Sequence, residues 1–297
     1  MNIYDCFMYF DEDLLLDIRL NSLEKFVKKF VITEATYTHN GNKKKLNFDI
    51  NRFQKFKDKI IYIVVDKQPE NILQLEKGDT KEKVGEKLIL NGMARDYYQR
   101  ECLSEGLKEA KDDDLILISD LDEIPNLESV NLDNIKNKIL IFEQKMFYYK
   151  LNLCVDSFNW FGTKACKNKY LISPQWLRNI KTKKYPFWRL DILFSSTKYN
   201  DLNFIKDGGW HFTNIKSPKE IHYKLSNFLH HLEYEHSGIT EEELRNIIKD
   251  KKIYYDHEVD KSSSKWKPSV KLERANLSDL PEYLRKNKEK LTEWFDF

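Results

Sequence analysis

The sequence predicts an α/β protein with a largely parallel sheet and a helical C-terminal part. Over the first half of the 297 residues, short apolar segments typical of strands alternate with segments of helical periodicity, which is the pattern of a layered α/β domain. Hydrophobic residues make up 41% of the chain, which is enough to fill a substantial core. Ligands of such sheets bind at the carboxyl ends of the strands, so the polar residues that follow a strand are the first candidates for a site.

The elements can be assigned in order from the N-terminus. Residues 3–10 are rich in aromatic and branched side chains and predict a first strand, and Asp11 or Asp13 can cap the helix that follows. Four further apolar segments predict strands, at 30–35, 60–66, 115–119 and 138–153. The periodicity of residues 82–110 predicts a long helix.

We predict one domain with two parts. Residues 1–215 would form the core, and residues 216–297 would form a helical extension packed on it. The chain has no internal repeat and no long low-complexity tract, and only 261–271 has the composition of a mobile basic linker.

Composition and charge exclude several classes of protein. The 50 Lys and Arg residues nearly balance the 48 Asp and Glu residues, so the net charge of +2 gives no global field that would favour nucleic acid or an acidic membrane. The four cysteines form no Cys-x-x-Cys pair, which indicates reduced thiols rather than a zinc site or a disulfide framework. The sequence shows neither a signal peptide nor an apolar run that could form a transmembrane segment, and we expect a cytoplasmic protein.

The segment LILISDLDEIP, residues 115–125, carries the most specific chemical signal. In an extended chain, residues i and i+2 project to the same side, so Asp120 and Asp122 could face one point beyond the strand. Two like charges held so close repel unless a cation lies nearby. A hard divalent ion, Mg²⁺ or Mn²⁺, completed by phosphate oxygens and water, is the natural partner.

Two other interpretations of this segment stay open. Asp-x-Asp occurs by chance in acidic turns, and a turn after a strand commonly carries Asp and ends in Pro. An apolar strand followed by Asp-x-Asp also resembles the first motif of haloacid-dehalogenase-like phosphatases, in which the residue matching Asp120 is a nucleophile. That family has Thr or Val at the position of Ile124 and a later acidic pair on another strand, which this sequence lacks.

Five segments in series resemble glycosyltransferase family 17, the family of the β-1,4-mannosyl-glycoprotein β-1,4-N-acetylglucosaminyltransferase. They are DCFMYFDEDLLLDIRLNSL, FVITEATYTHNGNKKKLNF, ARDYYQRECLSEGLK, DDDLILISDLDEIP and GGWHF. The resemblance implies a GT-A type, Rossmann-like sandwich that binds a nucleotide sugar at a metal-binding Asp-x-Asp motif. It further implies an inverting transfer from a UDP-sugar, with UDP-N-acetylglucosamine as the expected donor, to a carbohydrate or other hydroxyl acceptor.

The resemblance also implies roles for individual residues. Asp120 would face the ribose or the metal, Asp122 would ligate the metal directly, and His211 is a candidate further ligand. Glu34 and Thr36 follow a strand where such a fold contacts the uridine.

Arg95 and Arg100 lie on the long predicted helix, about 140° apart around its axis because a helix turns about 100° per residue. We assign Arg95 to the diphosphate, because a guanidinium matches phosphate with its planar fork, and we regard Arg100 as structural.

An inverting transfer also needs a base for the acceptor hydroxyl, most simply a carboxylate. Asp207 and Asp191 are the first candidates because they are close in sequence to His211. Trp160, Trp188 and Trp210 could stack on a sugar or fill the core. A sugar-binding module that has the pocket without catalysis is a further alternative.

Overall fold

The computed structural model describes residues 1–131, 137–186, 188–227, 231–255, 266 and 270–297, and it confirms the α/β class. The strands are β1 (Ile3–Met8), β2 (Lys29–Ala35), β3 (Ile60–Val65), β4 (Leu115–Asp120), β5 (Glu123–Pro125), β6 (Ile139–Tyr148), β7 (Leu153–Lys167), β8 (Leu202–Ile205), β9 (Gly209–Thr213) and β10 (Glu273–Arg274). The helices are α1 (Asp13–Leu23), α2 (Lys81–Glu101), α3 (Pro174–Asn179), α4 (Pro218–Asn227), α5 (His231–Ser237), α6 (Glu241–Lys249) and α7 (Glu282–Lys286).

All these strands belong to one sheet of order β3-β2-β1-β4-β7-β6-β9-β5, with β10 beside β7 and β8 beside β6. The neighbours β3, β2, β1 and β4 are parallel, as expected for the first half of the sequence. The sheet becomes mixed from β7 onward, because β7 runs antiparallel to both β4 and β6. The order of the strands reverses between β1 and β4, which makes this the position where an open α/β sheet binds ligands.

The alternation of side chains in β1 divides the core into two layers. Ile3 and Phe7 face one side and pack in the cluster that contains the apolar residues of α1. Tyr4 and Cys6 face the other side, in the cluster formed with α3 and the 3₁₀ segment Cys102–Leu107. Helices therefore cover both faces of the parallel strands, and each strand end lies between two helical layers.

The C-terminal part packs on the long strands β6 and β7. Ile221 of α4 and Leu244 of α6 belong to a third apolar cluster together with Met146 and Tyr148 of β6. α7 lies against α1, where the hydroxyl group of Tyr283 donates to Asp17 at 2.6 Å. This packing brings α4 to the edge of the site described below.

Two predictions concern a linker and membrane-spanning segments, and each can be compared only with the residues that the structure describes. Most of the linker predicted at 261–271 lies outside the described residues. In the part of the chain that is described, no helix combines the length and apolar character needed to cross a membrane.

Candidate functional site

A cavity of about 340 Å³ opens at the carboxyl ends of β1, β2 and β4. It is lined by residues that follow these strands and by residues of α2 and α4, among them Tyr9, Thr38, Arg100, Asp120 and Lys224. The cavity thus occupies the switch point between β1 and β4, and its size is in the range of small-molecule sites.

Asp120, the last residue of β4, lies between two arginines. The pleat directs its side chain to the face shared by Ile116 and Ile118, which is the face covered by α3 and by the 3₁₀ segment Cys102–Leu107 that follows α2. One carboxyl oxygen accepts from Nη2 of Arg100 at 3.2 Å and the other from Nη2 of Arg178 at 2.8 Å. Burial alone would raise the pKa of Asp120, but the two guanidinium groups hold it well below its usual range. Asp120 is therefore an anion, and its side chain is still 41% exposed where it lines the cavity.

Glu123 is a fully buried carboxylate behind Asp120. Its oxygens accept from both terminal nitrogens of Arg178 at 2.8 and 2.6 Å, from the indole of Trp160 at 2.6 Å, and from the backbone N–H of Asp120 at 2.9 Å. Nη1 of Arg178 also donates to the carbonyl of Gly162 at 2.8 Å. These bonds fix the plane of the guanidinium and hence its contact with Asp120.

Arg19 of α1 forms hydrogen bonds to the backbone of the turn after β4. Its Nε and Nη2 donate to the buried carboxylate of Asp5 at 2.8 and 2.6 Å, and Nη2 also donates to Ser119 at 2.6 Å. Nη1 donates to the carbonyl groups of residues 120, 121 and 123 at 3.1, 3.1 and 2.8 Å. Asp5 can reach Arg19 because the pleat of β1 directs it to the face covered by α1. The buried ion pair therefore sets the backbone path of the Asp-x-Asp segment.

Asp122 lies in that turn, beyond the end of β4, and its partner is His211 of β9. The pairing of β5 with β9 places Glu123 opposite His211 and brings the backbone N–H of Phe212 to the carbonyl of Asp122 at 2.8 Å. Nε2 of His211 lies 3.5 Å from Oδ1 of Asp122 and 3.0 Å from Oγ1 of Thr213. Burial alone would lower the pKa of His211, but the Asp122 carboxylate raises it. Nδ1 of His211 is buried and has no hydrogen-bond partner within the described parts of the chain.

Asp122 and His211 would be two of the ligands that a hard cation requires. The described residues contain no group of three or more His, Cys, Asp or Glu side chains arranged to hold a metal ion. The pair fits an ion that takes its remaining ligands from phosphate oxygens and water, which is how Mg²⁺ is usually bound. Both oxygens of Asp120 already accept from arginines, so a direct bond from Asp120 to a metal would compete with these contacts.

Glu12 and Lys224 of α4 form an ion pair on the cavity wall. The ammonium group of Lys224 lies 3.1 Å from Oε1 of Glu12, and Lys216 bonds Asp11 at 2.6 Å in the same way. Burial alone would raise the pKa of Glu12, but Lys224 and Lys216 lower it. Glu12 is therefore an ionised carboxylate on the cavity wall.

Glu34, predicted to contact the nucleotide, is fully buried and lies outside the lining of the cavity. It accepts from the backbone N–H groups of Asn47 and Phe48 at 2.8 and 3.0 Å and from the hydroxyl of Tyr62 at 2.9 Å, and it pairs with Lys44. These contacts order the loop that follows β2.

Thr36 and Arg95, which were also predicted to contact the donor, lie outside the lining of the cavity and support it. Thr36 is outside the lining, and its backbone N–H donates to the carbonyl of Val65, whereas Thr38 and His39 line the cavity. Arg95 donates from Nη1 to the carbonyl of His39 at 3.0 Å and supports this turn from outside the cavity.

Arg100, which the sequence analysis regards as structural, lines the cavity beside Asp120. The two arginines do lie on different faces of α2, as their spacing predicts. The face of Arg100 is the one that meets the carboxyl end of β4.

The two candidates for the catalytic base are not brought to the cavity. Asp191 is in a surface segment, paired with Arg189 at 2.8 Å and with Lys198 at 2.7 Å. Asp207 is exposed in the turn before β9 and is not among the residues that line the cavity. Closeness in sequence to His211 is therefore not closeness to the cavity.

Arg19, Arg178 and Glu12 are site residues that the sequence analysis missed. Arg19 could have been predicted, because it lies inside the apolar segment of α1 while Asp5 lies inside β1, and buried charges are normally paired. Arg178 had no comparable signal, since it lies 58 residues from Asp120 and only the tertiary fold joins them.

Comparison with known proteins assigns the N-terminal part of the chain, which contains the Asp-x-Asp turn, to a family. No curated protein matches the chain. The family model of glycosyltransferase family 17 matches residues 1–176, which is more than half of the chain. The matched part contains β1, α1, α2 and the Asp-x-Asp turn, and it ends just before Arg178. The chain therefore belongs to glycosyltransferase family 17.

Proposed function

We propose that the protein is a metal-dependent, inverting glycosyltransferase of GT-A type that transfers N-acetylglucosamine from UDP-N-acetylglucosamine to a hydroxyl group of a glycan or another acceptor. The observation that carries this proposal is the position of Asp120 and Asp122 in one cavity at the switch point of a parallel sheet. Membership of the family supports sugar transfer, and the cavity supplies the place for the donor.

The residues of the cavity suit a nucleotide diphosphate. Asp120 is a fixed anion that can accept hydrogen bonds from ribose hydroxyl groups, and Arg100 lies beside it with a charge that can attract phosphate. Asp122 and His211 would hold Mn²⁺ or Mg²⁺ against the diphosphate. The metal would neutralise the charge that develops on the leaving diphosphate.

An Asp120 nucleophile, which a phosphatase would need, is disfavoured by the same geometry. Both carboxyl oxygens accept from guanidinium groups, at 3.2 and 2.8 Å, and attack would require one of these contacts to break. The lowered pKa also makes Asp120 a weaker nucleophile than an ordinary carboxylate.

The proposal is tested by measuring UDP released from UDP-N-acetylglucosamine with Mn²⁺ and with a chelator. Asp122→Ala should reduce release at least about a hundredfold, because a ligand of the metal is lost, and should leave the melting temperature close to that of the wild type. Asp113→Ala is the matched control, since this carboxylate is exposed and pairs with Lys167 and Lys169. Wild-type release that persists in chelator would exclude the metal, and donor binding without turnover would indicate a sugar-binding module.

We further propose Glu12 as the base that accepts the proton of the acceptor hydroxyl. Asp96 and Asp120 are held by arginines and Asp122 is assigned to the metal, so Glu12 is the remaining carboxylate among the described residues that line the cavity. The ion pair with Lys224 at 3.1 Å keeps Glu12 ionised at neutral pH, which is the state that a base requires. The same pair lowers the basicity of Glu12, so the proposal requires Lys224 to move away from Glu12 as the proton is transferred.

Glu12→Gln should lower kcat by roughly a hundredfold, in the range of general base catalysis, with little effect on the affinity for UDP. Asp207→Asn and Asp191→Asn serve as comparisons in the same assay, because both carboxylates lie away from the cavity. A large loss of kcat in either of these, with Glu12→Gln active, would return the role to the residue concerned.

A further inference from the structure

Residues 181–186 and 188–197 lie on the surface next to α3, the helix that carries Arg178. This surface loop begins three residues after Arg178, and its neck is closed by the backbone N–H of Lys181, which donates to the carbonyl of Thr197 at 2.9 Å. The indole of the buried Trp176 donates to the carbonyl of Ser196 at 2.7 Å. The neck is therefore anchored to α3, the helix that carries Arg178.

The tip of this loop, residues 188–194, exposes large apolar side chains. Leu190, Leu193 and Phe194 are 71%, 77% and 89% exposed. They lie on and after a short 3₁₀ turn, Leu190–Ile192, in which the backbone N–H of Leu193 donates to the carbonyl of Leu190 at 3.1 Å. Single exposed apolar residues are common, but three within five positions on an ordered tip form a patch that indicates a binding surface.

The segment that carries this patch is rich in cations. Residues 181–200 contain five cationic side chains and one carboxylate, whereas the whole chain has a net charge of only +2. The cations are Lys181, Lys183, Lys184, Arg189 and Lys198. Arg189 and Lys198 lie over the ring of Tyr185 at 5.4 and 6.0 Å, and both pair with Asp191, at 2.8 and 2.7 Å. The small net charge of the chain therefore conceals a local basic surface.

We infer that the 188–194 tip inserts into the surface of an anionic lipid bilayer. Apolar side chains at the apex can enter the boundary between headgroups and acyl chains, while lysine and arginine around them attract acidic lipids. The charge complementarity favours a bilayer over an apolar protein surface, because residues 181–200, with five cations and one carboxylate, carry a net charge of +4 that acidic lipids can balance. This inference goes beyond the proposed function and does not depend on it.

Sedimentation of the full chain with lipid vesicles tests the inference. The protein should bind vesicles of phosphatidylcholine mixed with phosphatidylglycerol, bind phosphatidylcholine alone weakly, and dissociate as salt is raised, because salt screens the attraction. The double variant Leu193→Asp/Phe194→Asp should bind at least about tenfold more weakly, since two apolar groups no longer enter the bilayer and two negative charges oppose it.

Leu75→Asp is the matched control, because Leu75 is 52% exposed in a different loop and should not affect vesicle binding. The melting temperatures of all variants should stay near that of the wild type, since the exchanged side chains are exposed. Absence of binding to the anionic vesicles, or equal binding by the double variant, would overturn the inference. It would also be overturned if the wild type were a dimer that the double variant converts to a monomer without changing vesicle binding.

Discussion

The charged side chains around Asp120 form a network whose members depend on one another. Arg100 bonds Asp96, Asp120 and the side chain of Gln175, and Arg178 bonds Asp120 and Glu123. Removing one member would leave another buried charge without compensation, which costs about 3–5 kcal/mol in buried pairs. Substitutions here therefore act on both the fold and the site, and conservative exchanges are the informative ones.

Lys164 of β7 is a buried cation next to this network. Its ammonium group donates to the carbonyls of Arg178 and Ile180 at 2.6 and 2.5 Å, at the C-terminal end of α3. Burial, together with repulsion from Arg178, lowers the pKa of Lys164 to about 7. The folded protein thus loses this proton at a lower pH than the unfolded chain, in which lysine has a pKa of about 10.4.

This difference predicts how stability depends on pH. Below pH 7 both the folded and the unfolded protein carry the proton on Lys164, so the folded state bears the full cost of the buried charge. Between about pH 7 and pH 10 the unfolded chain binds more protons than the folded protein, so the free energy of unfolding rises with pH. The wild type should therefore gain about 2 kcal/mol or more relative to Lys164→Met between pH 7 and pH 10, as one pKa unit corresponds to about 1.4 kcal/mol. Urea unfolding at both pH values measures this, with exposed Lys43→Met as the control. A difference that stays constant or falls with pH would contradict the assigned shift.

At the scale of elements, α3 is a short helix with a large effect on the site. Its six residues begin at a cap in which Oγ of Ser173 accepts from the backbone N–H of Trp176 at 3.2 Å and donates to Glu101 at 2.7 Å. So short a helix is not stable by itself and depends on its cap and its packing. The position of Arg178 at its C-terminal end depends on both.

Ser173→Ala should lower the free energy of unfolding by about 1 kcal/mol, the usual cost of a lost N-cap, and should also weaken binding of UDP-N-acetylglucosamine, because Arg178 is held less firmly. Thr240→Ala is the matched variant: Thr240 caps α6 in a capping box at a distance from the cavity. It should cost about as much stability with no change in donor affinity. Urea unfolding and equilibrium binding separate the two effects, and equal affinities in both variants would show that α3 does not position the site.

The elements that could be predicted from the sequence are those with a local signal. The apolar segments that became β1, β2, β3 and β4, the long helix α2, and the acidic turn after β4 are all visible in composition and periodicity. The mixed direction of the sheet from β7 onward could not be predicted, because strand pairing depends on contacts between distant residues.

The same limit applies to the site. Asp120 and Asp122 follow a recognisable strand, and both line the cavity. The pleat relation expected between them does not apply, since β4 ends at Asp120 and Asp122 is in a turn. The partners Arg178 and Arg19 join the site through α3 and α1, which only the tertiary packing brings together.

For the whole molecule, one sheet unites the matched family segment and the residues beyond it. The parallel strands supply the cavity floor, α4 supplies Lys224, and β9 supplies His211, which contacts Asp122 of the cavity wall. A ligand bound in this cavity would contact parts of the chain from residue 8 to residue 227 and should therefore stabilise the entire fold by mass action.

Thermal unfolding with UDP-N-acetylglucosamine and Mn²⁺ tests the central claim, that the cavity at the ends of β1, β2 and β4 binds a nucleotide sugar through Asp120 and Asp122. At a ligand concentration about a hundred times Kd, the wild type should gain about 2.7 kcal/mol and melt several degrees higher. The gain should disappear with a chelator and in Asp120→Asn/Asp122→Asn. No shift with any UDP-sugar in the presence of Mn²⁺, or an equal shift in the double variant, would contradict the account.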